Sequence, residues 1–109
     1  MMVQNDTLLL VHRSAEKRTL FLPHAVRQMS NPERMISIEE VKQVIESGEI
    51  IENYPNDPRG HSCLILGFGI DNRPIHIVCA PKNEYLAIIT AYIPNEEEWE
   101  NNFKKRKVL

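Results

Sequence analysis

Between residues 48 and 92 the chain divides into four short apolar runs: GEIIENY (48–54), SCLILGFG (62–69), RPIHIVCA (73–80) and EYLAIITAY (84–92). The links between them, PNDPRGH, IDN and PKN, are built from turn-forming residues. Each run has the length and the Ile, Val, Leu and Tyr content of a β-strand. The links decide the topology. A parallel pair needs a crossover of a dozen or more residues, so links this short allow only antiparallel neighbours, and the spacing predicts a four-stranded antiparallel meander.

Helical signals flank the meander. Ser37 stands three residues before Glu40, the reciprocal capping pair that satisfies two orphan amides, and Ile38, Val41, Val44 and Ile45 follow as one apolar stripe at helical spacing. Gly48 is expected to end this helix in the left-handed region. Before it, HAVRQMS from His24 places Ala25 and Met29 on one face, and Asn31-Pro32 interrupts the pattern. After the strands, Asn95 is placed to cap a helix through EEEWENNFKKRK. Its acids lie at the amino end, its bases at the carboxyl end, and Trp99 and Phe103 share one face. Residues 1–22 are ambiguous: TLLLVHR and RTLFLP read as strands about a SAEK turn, or residues 1–11 as a helical turn. The expected order is α-α-β-β-β-β-α: an α+β domain with two N-terminal helices, a four-stranded antiparallel meander sheet and a C-terminal helix. Residues 1–22 are read as an N-terminal extension and 23–109 as one domain, since 109 residues leave no room for two.

Composition narrows the function classes. A net charge of -2 gives no global attraction to nucleic acid or acidic membranes. Leu8-Leu9-Leu10-Val11 is too short to span a bilayer. Cys63 and Cys79 lie in apolar runs without metal-binding spacing and read as two buried thiols in a reducing compartment, the cytoplasm. No nucleophile-elbow, P-loop, dinucleotide-binding or paired-cysteine metal motif is present, and nothing calls for a cofactor.

The chemistry-bearing candidates are histidines and cations. His76 sits mid-strand, where the plain reading is a hydrogen-bonded core histidine and the sharp one a catalytic or ligand-binding residue. A simple hairpin register with Ala80 opposite Tyr85 puts His76 opposite Ile89, on a face of smaller side chains. His24, at a helix start, is either a cap or a neutral general base. The four histidines have no HxH or HxxxH spacing, so the metal signal is weak, although a two-histidine metal or haem site from His24 and His76 stays open. Arg34, Arg59 and Arg73 and the tail KKRK (104–107) supply cations suited to phosphate. Their plainer role is a solvated helix end and ordinary loop arginines. Gly67 and Gly69 mark a bulge or bend.

From His24 onward the chain resembles a bacterial family known as domain of unknown function 4258. The matching words are HAVRQM, Arg34-Met35-Ile36-Ser37, GEIIENYP, SCLILGFG, RPIHIVCAP, IITAYIP and EEWENNFKKRK. The resemblance implies a RelE-like toxin–antitoxin fold and a metal-independent RNA endonuclease, or a descendant of one, held in check by an antitoxin-like protein. Cleavage without metal needs a base, an acid and a cation for the phosphorane. The implied residues are His24 and His76 for proton transfer, Arg34 and Arg73 on the phosphate, Tyr92 stacking a base or helping proton transfer, and Lys105 and Arg106 tracking the RNA backbone. The competing reading is a non-catalytic protein-binding or regulatory module on the same scaffold. A homodimer is also expected, because both sheet faces look apolar.

Overall fold

The computed structural model describes residues 4–108; the first three residues of the expected 1–11 turn lie outside the described residues. The meander forms as the links dictate. β2 (Glu49–Tyr54), β3 (Ser62–Phe68), β4 (Pro74–Pro81) and β5 (Leu86–Tyr92) pair antiparallel in chain order. A fifth strand, β1 (Thr19–Phe21), adds parallel to β5 at the far edge, so the sheet is mixed, in the order β1-β5-β4-β3-β2. The β3–β4 link is tight because Asp71 (φ 56°) and Asn72 (φ 58°) both take the left-handed conformation, which short polar side chains tolerate, while Arg73 N–H donates to the Ile70 carbonyl.

Three α-helices precede the meander among the described residues: α1 (Gln4–Lys17), α2 (Pro23–Met29) and α3 (Ile38–Ser47). For residues 4–17 the helix prevails over the strand alternative and takes in SAEK, whereas RTLFLP does supply β1. α2 buries Ala25 and Met29 as its spacing predicts. α3 carries the full capping box and buries Val41, Val44 and Ile45. All three helices cover one face of the sheet, where Val11, Ala25, Val41 and Val44 share a core with Ile65, Ile75, Ile77, Leu86 and Ile88. α1 is pinned there by His12 Nε2–H donating to the Ile45 carbonyl (2.8 Å) and Ser14 Oγ donating to the Lys82 carbonyl (2.7 Å).

Three expectations are corrected. First, no C-terminal helix forms. Asn95 caps a single turn, accepting from Glu98 N–H (2.8 Å), and the chain then folds back so that Trp99 bridges Arg106. Phe103 turns left-handed (φ 60°) within this return. Second, Ala80 pairs with Ala87, because the turn lies one residue further along, between Pro81 and Leu86, and a one-residue bulge of β5 opposite Val78 and Cys79 then sets His76 opposite Tyr92. The bulge turns Ala91 to the helix-covered face and Tyr92 to the other. Third, Gly48 is extended (φ -79°), not left-handed. Its missing side chain serves proximity instead, since a Cβ there would lie 2.5 Å from the Val44 carbonyl oxygen.

Candidate functional site

The face of the sheet away from the helices collects its polar groups at one end. One row runs Glu49–Leu66–His76–Tyr92 and the next Glu52–Leu64–Val78–Thr90. The bulge between Ile50 and Glu52 allows both glutamates of the edge strand to face this way. Residues 94–108 form a strap across these rows. Its Trp99, 3% exposed, meets the His76 ring edge-on with centroids 4.4 Å apart. Arg106 stacks on the outer side of that indole at 4.6 Å and grips Glu52 with two hydrogen bonds (2.9 and 3.1 Å). Lys104 pairs with Glu49 (2.7 Å), and the Tyr54 hydroxyl donates to Glu52.

His76 is fully buried beneath the strap. A carbonyl only accepts, so the Nε2–H donates to the Phe103 carbonyl (2.8 Å), and the Tyr92 hydroxyl donates to the remaining Nδ1 (3.2 Å). Both ring nitrogens are thus engaged in the neutral form. Burial holds the imidazole below its ordinary pKa, outweighing the Phe103 carbonyl and the Glu52 charge, while the Arg106 cation lowers it further. Burial pushes the Tyr92 phenol up. It also acts to raise Glu52, but hydrogen bonds from Arg106 and Tyr54 and the Arg106 charge hold that carboxyl below its usual range. Burial and the Glu52 carboxylate push Tyr54 up to about 12.

The remaining candidates lie elsewhere. Arg73 turns towards the helices and is a structural clasp: its guanidinium reaches Glu40 (2.7 and 3.1 Å) and the carbonyls of Arg34 (2.6 Å) and Met35 (2.9 Å). Glu40, 2% exposed, also accepts from Ser37 N–H and Ile70 N–H. Burial works to raise this carboxyl, and the Arg73 and amide hydrogen bonds hold it lower nonetheless. The Arg34 side chain bonds Gln28 (3.1 Å). His24 is exposed on the first turn of α2, and Lys105 is exposed on the strap. His76, Tyr92 and Arg106 therefore come together. Among the described residues no hydrogen bond or ring contact joins His24, Arg34 or Arg73 to them. Sequence reasoning missed Glu49, Glu52, Tyr54 and the part played by Trp99. The available signal was charge complementarity between the acidic edge strand EIIE and the basic KKRK. No group of three or more His, Cys, Asp or Glu able to hold a metal occurs among the described residues, and no described helix is long and apolar enough to cross a membrane.

Fold and site together define a small α+β domain with helices on one sheet face and a strapped acid–base cluster on the other. The chain belongs to the family described as domain of unknown function (DUF4258), whose model matches residues 21–93. Neither the curated proteins nor the solved structures provide a match. Helix α1 and the strap lie outside the matched residues, whereas Glu49, Glu52, Tyr54, His76 and Tyr92 lie within them.

Proposed function

We propose that this chain is a non-catalytic protein-binding or regulatory module acting in the cytoplasm. One observation carries the reading: His76, the histidine on the clustered sheet face, is fully buried and has both nitrogens committed to Tyr92 and Phe103. A general acid or base must reach its substrate within hydrogen-bond distance, and here the indole of Trp99 and the Phe103 carbonyl occupy that position. The experiment is induced expression of the protein beside its His24→Ala/His76→Ala variant, with growth and total RNA followed on the same cultures. The expected result is normal growth and intact RNA in both. Growth arrest with RNA cleavage that the double variant abolishes, at equal soluble expression, would overturn the reading.

A second reading, a metal-independent ribonuclease toxin or its descendant, is favoured by a different observation. Glu52, His76, Tyr92 and Arg106 meet on one sheet face, which joins acid–base groups to a guanidinium. In this reading the Trp99 indole and the Phe103 carbonyl move off His76 while Arg106 stays on Glu52, and a carboxylate, an imidazole and a phenol serve proton transfer. Arg106 then neutralises the phosphorane while Lys105 follows the RNA backbone. His24, Arg34 and Arg73 act outside that centre, and an antitoxin-like partner covers the face. Purified protein carrying Trp99→Ala distinguishes the two readings: cleavage of a single-stranded RNA by this variant, lost on adding His76→Ala, favours the ribonuclease. A homodimer fits either reading and is tested by sedimentation of the purified chain.

A further inference from the structure

Cys63 on β3 and Cys79 on β4 stand directly opposite one another in the ladder, with their Sγ atoms 4.0 Å apart. Both are free thiols, fully buried on the helix-covered face. We propose that they form a redox-responsive pair which a small hydroperoxide converts, within the folded protein, into a Cys63–Cys79 disulfide.

The backbone already meets the geometric requirement. Opposed residues of an antiparallel pair have Cα atoms about 4.5 or 5.5 Å apart, and both spacings fall within the roughly 4.4–6.8 Å that a disulfide spans. The β3–β4 ladder runs without a bulge from Cys63–Cys79 to Phe68–Pro74, so the strands hold the two residues in register. Closing the remaining gap of about 2 Å between the sulfurs falls to side-chain rotation. The chemistry is asymmetric in a useful way. The hydrogen bond from Cys79 favours ionisation of Cys63, while the same partner and burial push the Cys79 thiol up.

In the first step the Cys63 thiolate attacks one peroxide oxygen and the O–O bond breaks. Cys63 becomes a sulfenic acid, and the departing hydroxide takes up the proton that Cys63 had lost, forming water. The Cys79 sulfur then attacks the Cys63 sulfur; the S–S bond forms, the S–O bond breaks, and hydroxide leaves with the Cys79 proton as a second water. Two thiols and one hydrogen peroxide thus give one disulfide and two waters, with two electrons passing from sulfur to oxygen. Access favours a small oxidant. α1 lies over this region, with Val11 in the same core cluster and Ser14 bonded to the Lys82 carbonyl, so a bulky disulfide reagent is kept out.

The test uses the reduced full chain, treated with hydrogen peroxide well below its unfolding transition while circular dichroism is followed. It is then unfolded in N-ethylmaleimide and weighed intact. The expected product is about 2 Da lighter, carries no maleimide, and yields a peptide joining residues 63 and 79 that dithiothreitol releases. The folded spectrum persists throughout, and Cys63→Ser abolishes the cross-link. Three outcomes would overturn the proposal: both thiols remaining alkylatable, separate oxidation to sulfinic acids, or a cross-link that appears only once the chain unfolds.

Discussion

The strap is held chiefly by one side chain, and removing it makes the buried histidine accessible. Trp99 is almost fully enclosed, in T-shaped contact with His76 and with the half-exposed Arg106 over its ring. Truncating a buried tryptophan to alanine costs about 3–5 kcal/mol, and the lower figure suits a ring packed on a surface segment. The other attachments are weaker: the His76 Nε2–H bond to the Phe103 carbonyl contributes about 0.5–1.5 kcal/mol, and the Lys104–Glu49 and Arg106–Glu52 pairs, whose cations are largely exposed, about 0.2–1 kcal/mol each. Trp99→Ala therefore removes about half or more of what docks the strap. A loss of about 3 kcal/mol raises the open population about a hundredfold, at 1.4 kcal/mol per factor of ten. Tryptic cleavage after residues 104–107 follows that population when opening is fast, so nicking accelerates by a similar factor. The His76 ring, titrated by NMR, moves up towards the ordinary imidazole value of 6.5 as its burial is relieved. Trp99→Phe retains most of the packing and falls between. A Trp99→Ala protein nicked less than fivefold faster, with the His76 titration unchanged, would refute the reasoning that the indole latches the strap.

Glu40→Ala strips four hydrogen bonds and leaves the Arg73 guanidinium without its countercharge; a loss of about 3 kcal/mol is expected, read from urea unfolding midpoints, and a loss below about 1 kcal/mol would contradict it. Gly67→Ala places a Cβ 2.7 Å from a Val44 methyl, so β3 is forced away from α3 and the melting temperature falls, with a cost of about 1–3 kcal/mol. Stability declines on acidification. The folded His76 value lies below 6.5 and those of Glu40 and Glu52 below 4.5, so in each window the unfolded chain binds more protons. The first decline begins as the pH drops through 6.5 and the second below 4.5. His76→Gln abolishes the first and leaves the second, which thermal melts across the pH range will detect.

Elements governed by near neighbours in the chain were legible in the sequence. Ser37 and Glu40 announce α3 within four residues, and the three-residue links IDN and PKN force the hairpins. The C-terminal segment was misread because its helical pattern is overridden at a distance. Trp99 is drawn onto His76 and Arg106 onto Glu52, and a continuous helix from Asn95 cannot satisfy both contacts together with the Phe103 carbonyl. The turn position that pairs Ala80 with Ala87 and the one-residue β5 bulge that follows likewise leave no mark in EYLAIITAY, yet together they decide that Tyr92 and not Ile89 meets His76. The site followed the same division. His76, Tyr92 and Arg106 were visible as chemistry-bearing residues, but their assembly depended on these long-range contacts. Arg73 looked like a phosphate ligand because its partner Glu40 had been fully explained as a cap; the carboxylate does both jobs.

The parallel pairing of β1 with β5 has a consequence for the order in which the chain is assembled. Thr19 bonds into register beside Leu86, and Ser14 reaches the Lys82 carbonyl, so α1 and β1, translated ahead of the meander, find their place only when β5 has emerged. Until then β1 has no ladder to join, and the apolar side of α1 lacks part of the surface that later covers it. Closing so long a loop is an entropic cost met late, after the local hairpins have formed. α1 and β1 are thus synthesised before the strand they dock on. A chain stopped before Leu86 leaves β1 without its ladder and Ser14 without the Lys82 end of β4–β5 held in place.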